Sequence, residues 1–486
     1  MFLKIRRTSP RATVALGFIP NKEIMRLSLR GEAEVISVQK KEKNFRETKL
    51  LQKKMDRIKL QDRSVNTRTI AFATLGCKVN QYETELLRER FEKIGFIPVP
   101  FNQEADVYLI NTCTVTQRAD RKSRELITKA KRRNKKARLV VTGCYVEAES
   151  KMLKEKFPWI DFIISNKDKL KITQIFSNHH DFKQTTPFIR HFYGHNRAFI
   201  KIEDGCNQFC SYCRIPYVRG REIKSRSIED VLLEIEGLIK SNFKEIVLTG
   251  VNLGLYGRDK GTSLVKLLKE IELLKGDFRV RLSSLEPHLF TEELLNFVAE
   301  SIKICPHLHL SLQSGDKYIL KRMGRKYSPY QYQELVEKIR EKIPSAGLST
   351  DVMVGFPGEE EKHFFDTLHF IKEIGFSRIH IFRFSPRSGT RAYSMRPLIS
   401  EKVKKERAER LKEVAKISSH KFISHFLGRT LKVLVEEKED SNRGLLSGYT
   451  DNYIRIFFKG DRKLKNKFVD IKLTKAYEGW AEGEVR

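Results

Sequence analysis

From position 69 onward, short apolar runs alternate with stretches whose apolar residues recur every three or four positions, the marks of buried strands and amphipathic helices in turn. The first half of this pattern predicts strands at 70–75, 107–110, 139–142 and 162–164, with helices at 83–94 and 118–133 between them. Strand and helix in such quick succession argue for an α/β fold, here a doubly wound parallel sheet over about 68–180. The alternation resumes over 190–420, with strands expected at 198–202, 245–249, 279–283, 308–312, 349–354 and 378–382. Six such β/α units predict an open, partial (β/α)6 TIM-like barrel whose chemistry sits at the C-terminal ends of its strands. A charged helix over 401–416 then leads to a segment, 422–486, that loses the helical period. Its runs at 431–435, 453–458 and 468–473, separated by Gly- and Asn-containing turns, predict a small antiparallel β-barrel of a kind that often binds RNA. Tyr449, Tyr453, Phe457, Arg455 and Lys459 there offer stacking and phosphate contact, although at least half of the aromatic residues belong to the barrel's own core.

The cysteines change this picture from fold to chemistry. Cys206, Cys210 and Cys213 stand in one C-x3-C-x2-C run just past the first strand of the central barrel. A structural zinc takes four protein ligands and a closed iron–sulfur site four cysteines. Three thiolates this close hold three irons of a cubane cluster and leave the fourth open to another ligand. Cys77, Cys113 and Cys144 each follow a predicted strand of the first domain by two or three residues. In an open α/β sheet the crevice beyond the strands' carboxyl ends is where ligands bind, so these three converge on one place. Cys305, just before a predicted strand, reads as a packed residue.

Composition narrows the partner. The chain has 486 residues, 94 Lys and Arg against 61 Asp and Glu, and a formal net charge of +33. Such a surface attracts polyanions, and nucleic acid is the favoured partner. Seven cysteines, an odd number, with no apolar run of membrane-spanning length and no secretory signal, point to a reducing cytoplasm and no membrane. Residues 1–66 stand apart, with 17 Lys/Arg, 7 Asp/Glu and weak periodicity. They form a basic arm, a transit-like peptide or a start-site artefact, the last with translation beginning near Met55.

Three motifs now carry a resemblance. The run from Thr74 to Glu83 (Thr-Leu-Gly-Cys-Lys-Val-Asn-Gln-Tyr-Glu), the Asn111-Thr112-Cys113-Thr114-Val115-Thr116 run and Thr142-Gly143-Cys144-Tyr145 resemble the N-terminal domain of the radical S-adenosylmethionine (SAM) methylthiotransferases. The Gly205–Arg221 segment, with Ile215-Pro216 and Arg219-Gly220-Arg221, is similar to that family's core signature, and the C-terminal segment to its TRAM domain. The resemblance implies two 4Fe–4S clusters: one on Cys206, Cys210 and Cys213 with SAM at the open iron, one on Cys77, Cys113 and Cys144 through which sulfur is delivered. It implies SAM cleavage to a 5′-deoxyadenosyl radical, hydrogen abstraction from the target and a methyl group from a second SAM. SAM contacts are expected from Gly250, Asn252, Ser283, Glu286, Gln313 and Asp351, which either touch it or support a residue that does. Two departures from the family pattern, Asp316 after Gln-Ser-Gly and the Phe382-Arg383-Phe384-Ser385 run, bear on substrate contacts.

Within the family, Cys77-Lys78-Val79-Asn80-Gln81 and Asn-Thr-Cys-Thr-Val-Thr resemble the branch acting on C2 of N6-threonylcarbamoyladenosine at position 37, in the tRNA anticodon loop. Electron-donor and sulfur-donor proteins are then further partners. The segment 118–138, with eleven Lys/Arg and two acids, suits a phosphate-contacting face. The alternatives are the isopentenyladenosine branch, a branch modifying a ribosomal-protein aspartate, and a non-catalytic RNA-binding iron–sulfur protein.

Overall fold

In the computed structural model, residues 68–177, 188–437, 439 and 444–486 are described. The basic arm 1–66 lies outside them. The N-terminal sheet is built from β1 (Arg68–Thr74), β2 (Phe96–Val99), β3 (Val107–Thr112), β4 (Arg138–Gly143) and β5 (Phe162–Ile164), all parallel in the order β2-β1-β3-β4-β5. Helices α1 (Lys78–Lys93), α2 (Gln117–Arg133) and α3 (Cys144–Lys156) provide the crossovers. Edge strand β2 went unread in the sequence because it is four residues long and carries Pro98, which is tolerated only at an edge. Helix α1 starts five residues ahead of expectation, since the chain turns into it straight from Cys77. Arg138, the last residue of the basic segment, belongs to β4 rather than to α2.

The central barrel has the six expected strands: β6 (Arg197–Lys201), β9 (Glu245–Thr249), β10 (Arg279–Leu282), β12 (His307–Leu310), β13 (Gly347–Val354) and β14 (Arg378–Arg383). Two-residue strands β7 (Glu203–Asp204) and β8 (Lys224–Ser225) pair with each other, and β11 (Ser284–Leu285) pairs with β12. Hydrogen bonding falls into two sheets, β10-β9-β6 and β11-β12-β13-β14, joined by a single Val280–Ile304 bridge. A short helix α4 (Ile215–Val218) packs against α3, and the helices between and after the strands are α5 (Ile228–Lys240), α6 (Leu264–Leu273), α7 (Glu292–Glu300), α8 (Lys317–Met323), α9 (Pro329–Lys342) and α10 (Glu361–Ile374). Ile200, Leu248, Val280, Leu310, Val352 and Ile371 belong to one apolar cluster between strands and helices. The opposite strand faces, by the period-two alternation, turn polar side chains into the lumen. Asp316, the odd residue of its motif, accepts the Ile319 N–H at 2.7 Å and caps α8, which is the service a serine gives there.

Helix α11 (Glu401–Ser424) leads to a closed barrel, β15-β16-β17-β19-β18, made from β15 (Thr430–Val435), β16 (Leu446–Thr450), β17 (Arg455–Phe458), β18 (Phe468–Tyr477) and β19 (Trp480–Val485). Five strands replace the three expected, and β17 pairs parallel with β19, so the barrel is not wholly antiparallel. Parallel closure brings the last strand beside the third and leaves no free edge.

The segment from Thr67 to Arg486 packs as one unit, and a buried ion network joins its first two parts. Arg219, just past the central cysteines, binds Glu83 of α1 (2.6 Å) and Asp204 (3.2 Å). Lys201 reaches the same two acids at 2.9 and 3.0 Å, and Lys169 pairs with Glu83. Burial alone would raise the Glu83 carboxyl, yet Arg219, Lys169 and Lys201 hold it well below the usual carboxylate range. Glu83→Ala leaves Arg219 and Lys201 with Asp204 alone and the buried Lys169 with no carboxylate, a change that costs about 3–5 kcal/mol. The expected readout is a lowered urea midpoint for the metal-free protein, with the Glu83→Ala chain still folded in the absence of denaturant.

Candidate active site

Cys77 caps the N-terminus of α1, Cys113 directly follows β3, and Cys144 is the first residue of α3. Because β1, β3 and β4 are neighbours, all three thiols meet at one end of the sheet. The approach is tight: a Cβ on Gly76 would stand 3.0 Å from the Cys113 sulfur, and Gly143 holds φ +102° beside Thr112. Cys113 and Cys144 are buried and Cys77 is exposed. Burial pushes the Cys113 thiol up to about 11, and the neighbouring Cys144 and Cys77 add to the rise.

The second triad is shaped by its loop. Gly205 has φ +90°, the Cys206 N–H donates to Gly220 O (3.1 Å), and the Cys213 N–H donates to Cys210 O (3.0 Å). Burial raises the Cys206 thiol to about 11 and the Cys213 thiol to about 12, with Cys210 adding to each. Thiols so placed stay neutral until a metal cation displaces their protons. Neither triad has all its sulfurs within 4.8 Å. Around one zinc, thiolates sit about 3.8 Å apart, so neither triad is drawn in around a single ion. The triads are bound to each other: Arg214, next to Cys213, donates to Thr114, next to Cys113, at 3.2 Å.

Around the second triad the structure sorts the sequence-predicted polar residues. Glu203, which the sequence reading passed over, accepts the Asn252 N–H at 2.8 Å, and Gly250 lies close enough that a Cβ would meet the Glu203 carboxylate at 2.6 Å. Glu203 Oε1 and Asn252 Oδ1 are both buried without a partner. Burial pushes the Glu203 carboxyl up to about 8. Two buried acceptors without partners, on residues joined by a hydrogen bond, fit an ammonium group, such as the amino end of SAM. Glu286 is already held: Arg325 grips both of its oxygens and also donates to Cys210 Sγ at 3.3 Å. Ser283 is buried at the end of β10. Gln313 takes φ +69°, its backbone paired across to Asp351 and Met353.

Asp351 lies inside β13, not at its end, and faces the lumen. His309 and His380 flank its carboxylate at 3.2 and 3.4 Å. These three are the only close His/Cys/Asp/Glu group among the described residues. Deeper in, Tyr453 stacks on Tyr449 (4.8 Å), while Arg281 lies over the Tyr453 ring and Arg197 over that of Tyr449. Arg279 and Arg281 also donate to the backbone oxygens of Tyr449, Thr450 and Asp451. The two tyrosines expected to stack on RNA are therefore spent in closing the barrel floor, and Phe457 is core. Lys78 is reached by solvent yet surrounded by protein. Burial lowers its pKa, and its charge is felt by Tyr453 and His307.

Family models divide the chain where the fold does. The model described as "Uncharacterized protein family UPF0004" matches residues 69–165, the Radical SAM superfamily matches 200–371, and the TRAM domain matches 425–485. Threonylcarbamoyladenosine tRNA methylthiotransferase MtaB of Bacillus subtilis (strain 168) is 38% identical over 86% of this chain and 96% of its own length. The chain belongs to the radical SAM methylthiotransferases. A relative from Fusobacterium nucleatum subsp. nucleatum, tRNA-2-methylthio-N(6)-dimethylallyladenosine synthase, is 36% identical over 85% of this chain and 98% of its own. In fold alone, the radical SAM methyltransferase TsrM from Kitasatospora setae is similar, with a TM-score of 0.51 at 16% identity over 68% of this chain and 77% of that one. As a radical SAM methylthiotransferase the chain is a transferase that uses SAM and 4Fe–4S chemistry. No helix among the described residues is long and apolar enough to cross a membrane.

In this methylthiotransferase the loop glycines are steric requirements. A Cβ at Gly205 would fall 1.9 Å from Glu222 O in a left-handed backbone conformation. Gly205→Ala is expected to cost at least the ~1–3 kcal/mol of backbone strain and to displace Cys206. Urea unfolding of the metal-free protein reads the first effect, and iron bound per chain after reconstitution reads the second.

Proposed function

We propose that this methylthiotransferase acts on C2 of N6-threonylcarbamoyladenosine at position 37 of tRNA, giving the 2-methylthio derivative. What carries the reading is a pair of cysteine triads linked through the Arg214–Thr114 hydrogen bond, in a chain alignable over almost its whole folded length with a relative named for that reaction. Cys206, Cys210 and Cys213 would hold one 4Fe–4S cluster and Cys77, Cys113 and Cys144 a second, supplying reductive cleavage of SAM and the sulfur to be transferred. The chain's own residues position the reactants. Glu203 and Asn252 receive the SAM amino group, with Gly250 giving the clearance and Ser283 and Gln313 shaping the same strand ends. Arg325 fixes Cys210 and draws Glu286 away from SAM. Asp351 orients the imidazoles of His309 and His380 along the open side of the lumen. Electron-donor and sulfur-donor proteins complete the turnover.

The dimethylallyladenosine reading rests on the 36% relative. The His309, Asp351 and His380 side chains on neighbouring strands favour a polar N6 substituent over an apolar one. Mass spectrometry of tRNA nucleosides from cells lacking the gene decides between them. Loss of 2-methylthio-N6-threonylcarbamoyladenosine with accumulation of its unthiolated precursor supports the proposal. Persistence of that nucleoside with loss of the dimethylallyl analogue overturns it.

The tRNA itself has a basic groove to lie against. Gln117, Arg118, Asp120, Arg121 and Arg124 of α2, together with Arg383, line a groove of about 600 Å3 beside the open strand of the barrel. Arg118 and Arg121 are exposed. Arg118→Ala and Arg121→Ala are each expected to weaken tRNA binding and to reduce the slope of log affinity against log salt by about 1, measured by equilibrium binding across a salt series.

A further inference from the structure

A cavity lies away from the cysteines, where the C-terminal barrel meets the last β/α unit of the central one. It measures about 370 Å3, at the low end of the range for small-ligand sites and too small to admit a nucleic-acid helix. Ser377 and Arg378 at the start of β14, Ser419 of α11, and Tyr449, Arg455 and Trp480 of the C-terminal barrel line it. Its lining contains no Asp or Glu among the described residues. Glu478, beside the lining residue Gly479, is taken up by Lys416 at 3.6 Å. Neither Arg378 nor Arg455 forms an ion pair among the described residues. The Arg455 guanidinium lies over the Phe457 ring at 4.5 Å, and its Nε is buried with no hydrogen-bond partner. A buried charged donor left open in this way is costly unless a ligand accepts from it. Trp480 is held in place by a stack on Tyr477 at 3.9 Å and a perpendicular contact with Phe457 at 5.3 Å.

We propose that this cavity binds one nucleotide of the tRNA other than the one modified, its phosphate on Arg378 and Arg455 and its base against Trp480. The inference rests on the tRNA reading above and adds a second place at which that RNA is held. Two guanidiniums with no acid between them select an anion, and their planar forks of donors suit phosphate oxygens. The indole beside them selects a ligand that carries a flat ring on that phosphate, because every base has a π-face. Inorganic phosphate or a simple carboxylate satisfies the arginines and leaves the aromatic wall unused. The place of the cavity in the fold points to tRNA as the source. Arg378 opens the edge strand β14, and Arg383, which borders the basic groove of α2, ends it. Five residue steps along a strand set the two about 17 Å apart. An RNA resting in the groove therefore has the cavity within reach of an unpaired nucleotide.

The test uses the full chain with its clusters reconstituted and with Trp159→Phe, which leaves Trp480 as the sole tryptophan and its fluorescence as the reporter. A tRNA carrying N6-threonylcarbamoyladenosine is titrated in, and AMP in a parallel series. The tRNA is expected to change the Trp480 emission over the same concentrations at which it binds, and to displace any AMP that enters the cavity. Arg378→Gln and Arg455→Gln are each expected to weaken tRNA binding about tenfold and to lower the slope of log affinity against log salt by about 1. Bound iron per chain is expected to stay at the wild-type level. Arg378 is exposed, so its variant carries the test even if Arg455→Gln disturbs the barrel. Binding of tRNA that leaves the Trp480 emission unchanged overturns the inference, as does wild-type affinity in Arg378→Gln. AMP that binds and is not displaced by tRNA makes the cavity a site for a free nucleotide and overturns it as well. A wild type that binds no tRNA at all fails the proposed function itself, whereas the other outcomes fail this site alone.

Discussion

The structure depends on the buried ion network centred on Glu83 and Arg219. Glu83 comes from the helix that starts at Cys77, and Arg219 from the loop that follows Cys213, so the network clasps the two triads from behind. Its two carboxylates, Glu83 and Asp204, face three cations, Lys169, Lys201 and Arg219. The unbalanced positive charge lies toward Cys144, whose thiol is raised by burial and drawn back by Arg219 and Lys169. A cluster of thiolate-bound iron, anionic overall, would complete the neutralisation. Burying so many charges is costly unless each is answered, and here the answer is shared between protein and cofactor. Fold stability and cluster loading are therefore coupled through the same few side chains.

How much of this was readable beforehand depended on whether a residue's role is local. The six cysteines lay open in the sequence because a strand followed by a short turn fixes where its thiol goes. Glu203 was hidden because a lone acid at a strand end looks like solvent-facing surface until Asn252 arrives from the next β/α unit. Glu286 pointed to SAM by its strand-end position, yet Arg325, distant in sequence, occupies it. Tyr449 and Tyr453 carried the composition of an RNA-binding face. Only the docking of the last barrel beneath the central one shows that Arg197, Arg279 and Arg281 hold this turn. The missing strands β2, β16 and β19 have a common cause. Each is short or broken by Pro or Gly, and each forms because a partner strand offers it hydrogen bonds rather than because of its own pattern.

Charge is spent differently in different regions of the molecule. In the interior it is paired, as around Glu83, Glu245 and Glu359. On the outer face of α2 it is left exposed, and that face borders the open strand β14, where the lumen can be entered. Among the described residues the positive charge thus divides into paired cations within and an exposed basic face outside.

The turn between β16 and β17 closes the floor of the central barrel, bonded to it through Arg279, Arg281 and, by the Asn452 side chain, Ser345 O. A domain attached in this way cannot swing on a tether in search of its ligand. The C-terminal barrel therefore sits at a preset offset from the strand ends of the central one, as a workpiece is held in a jig.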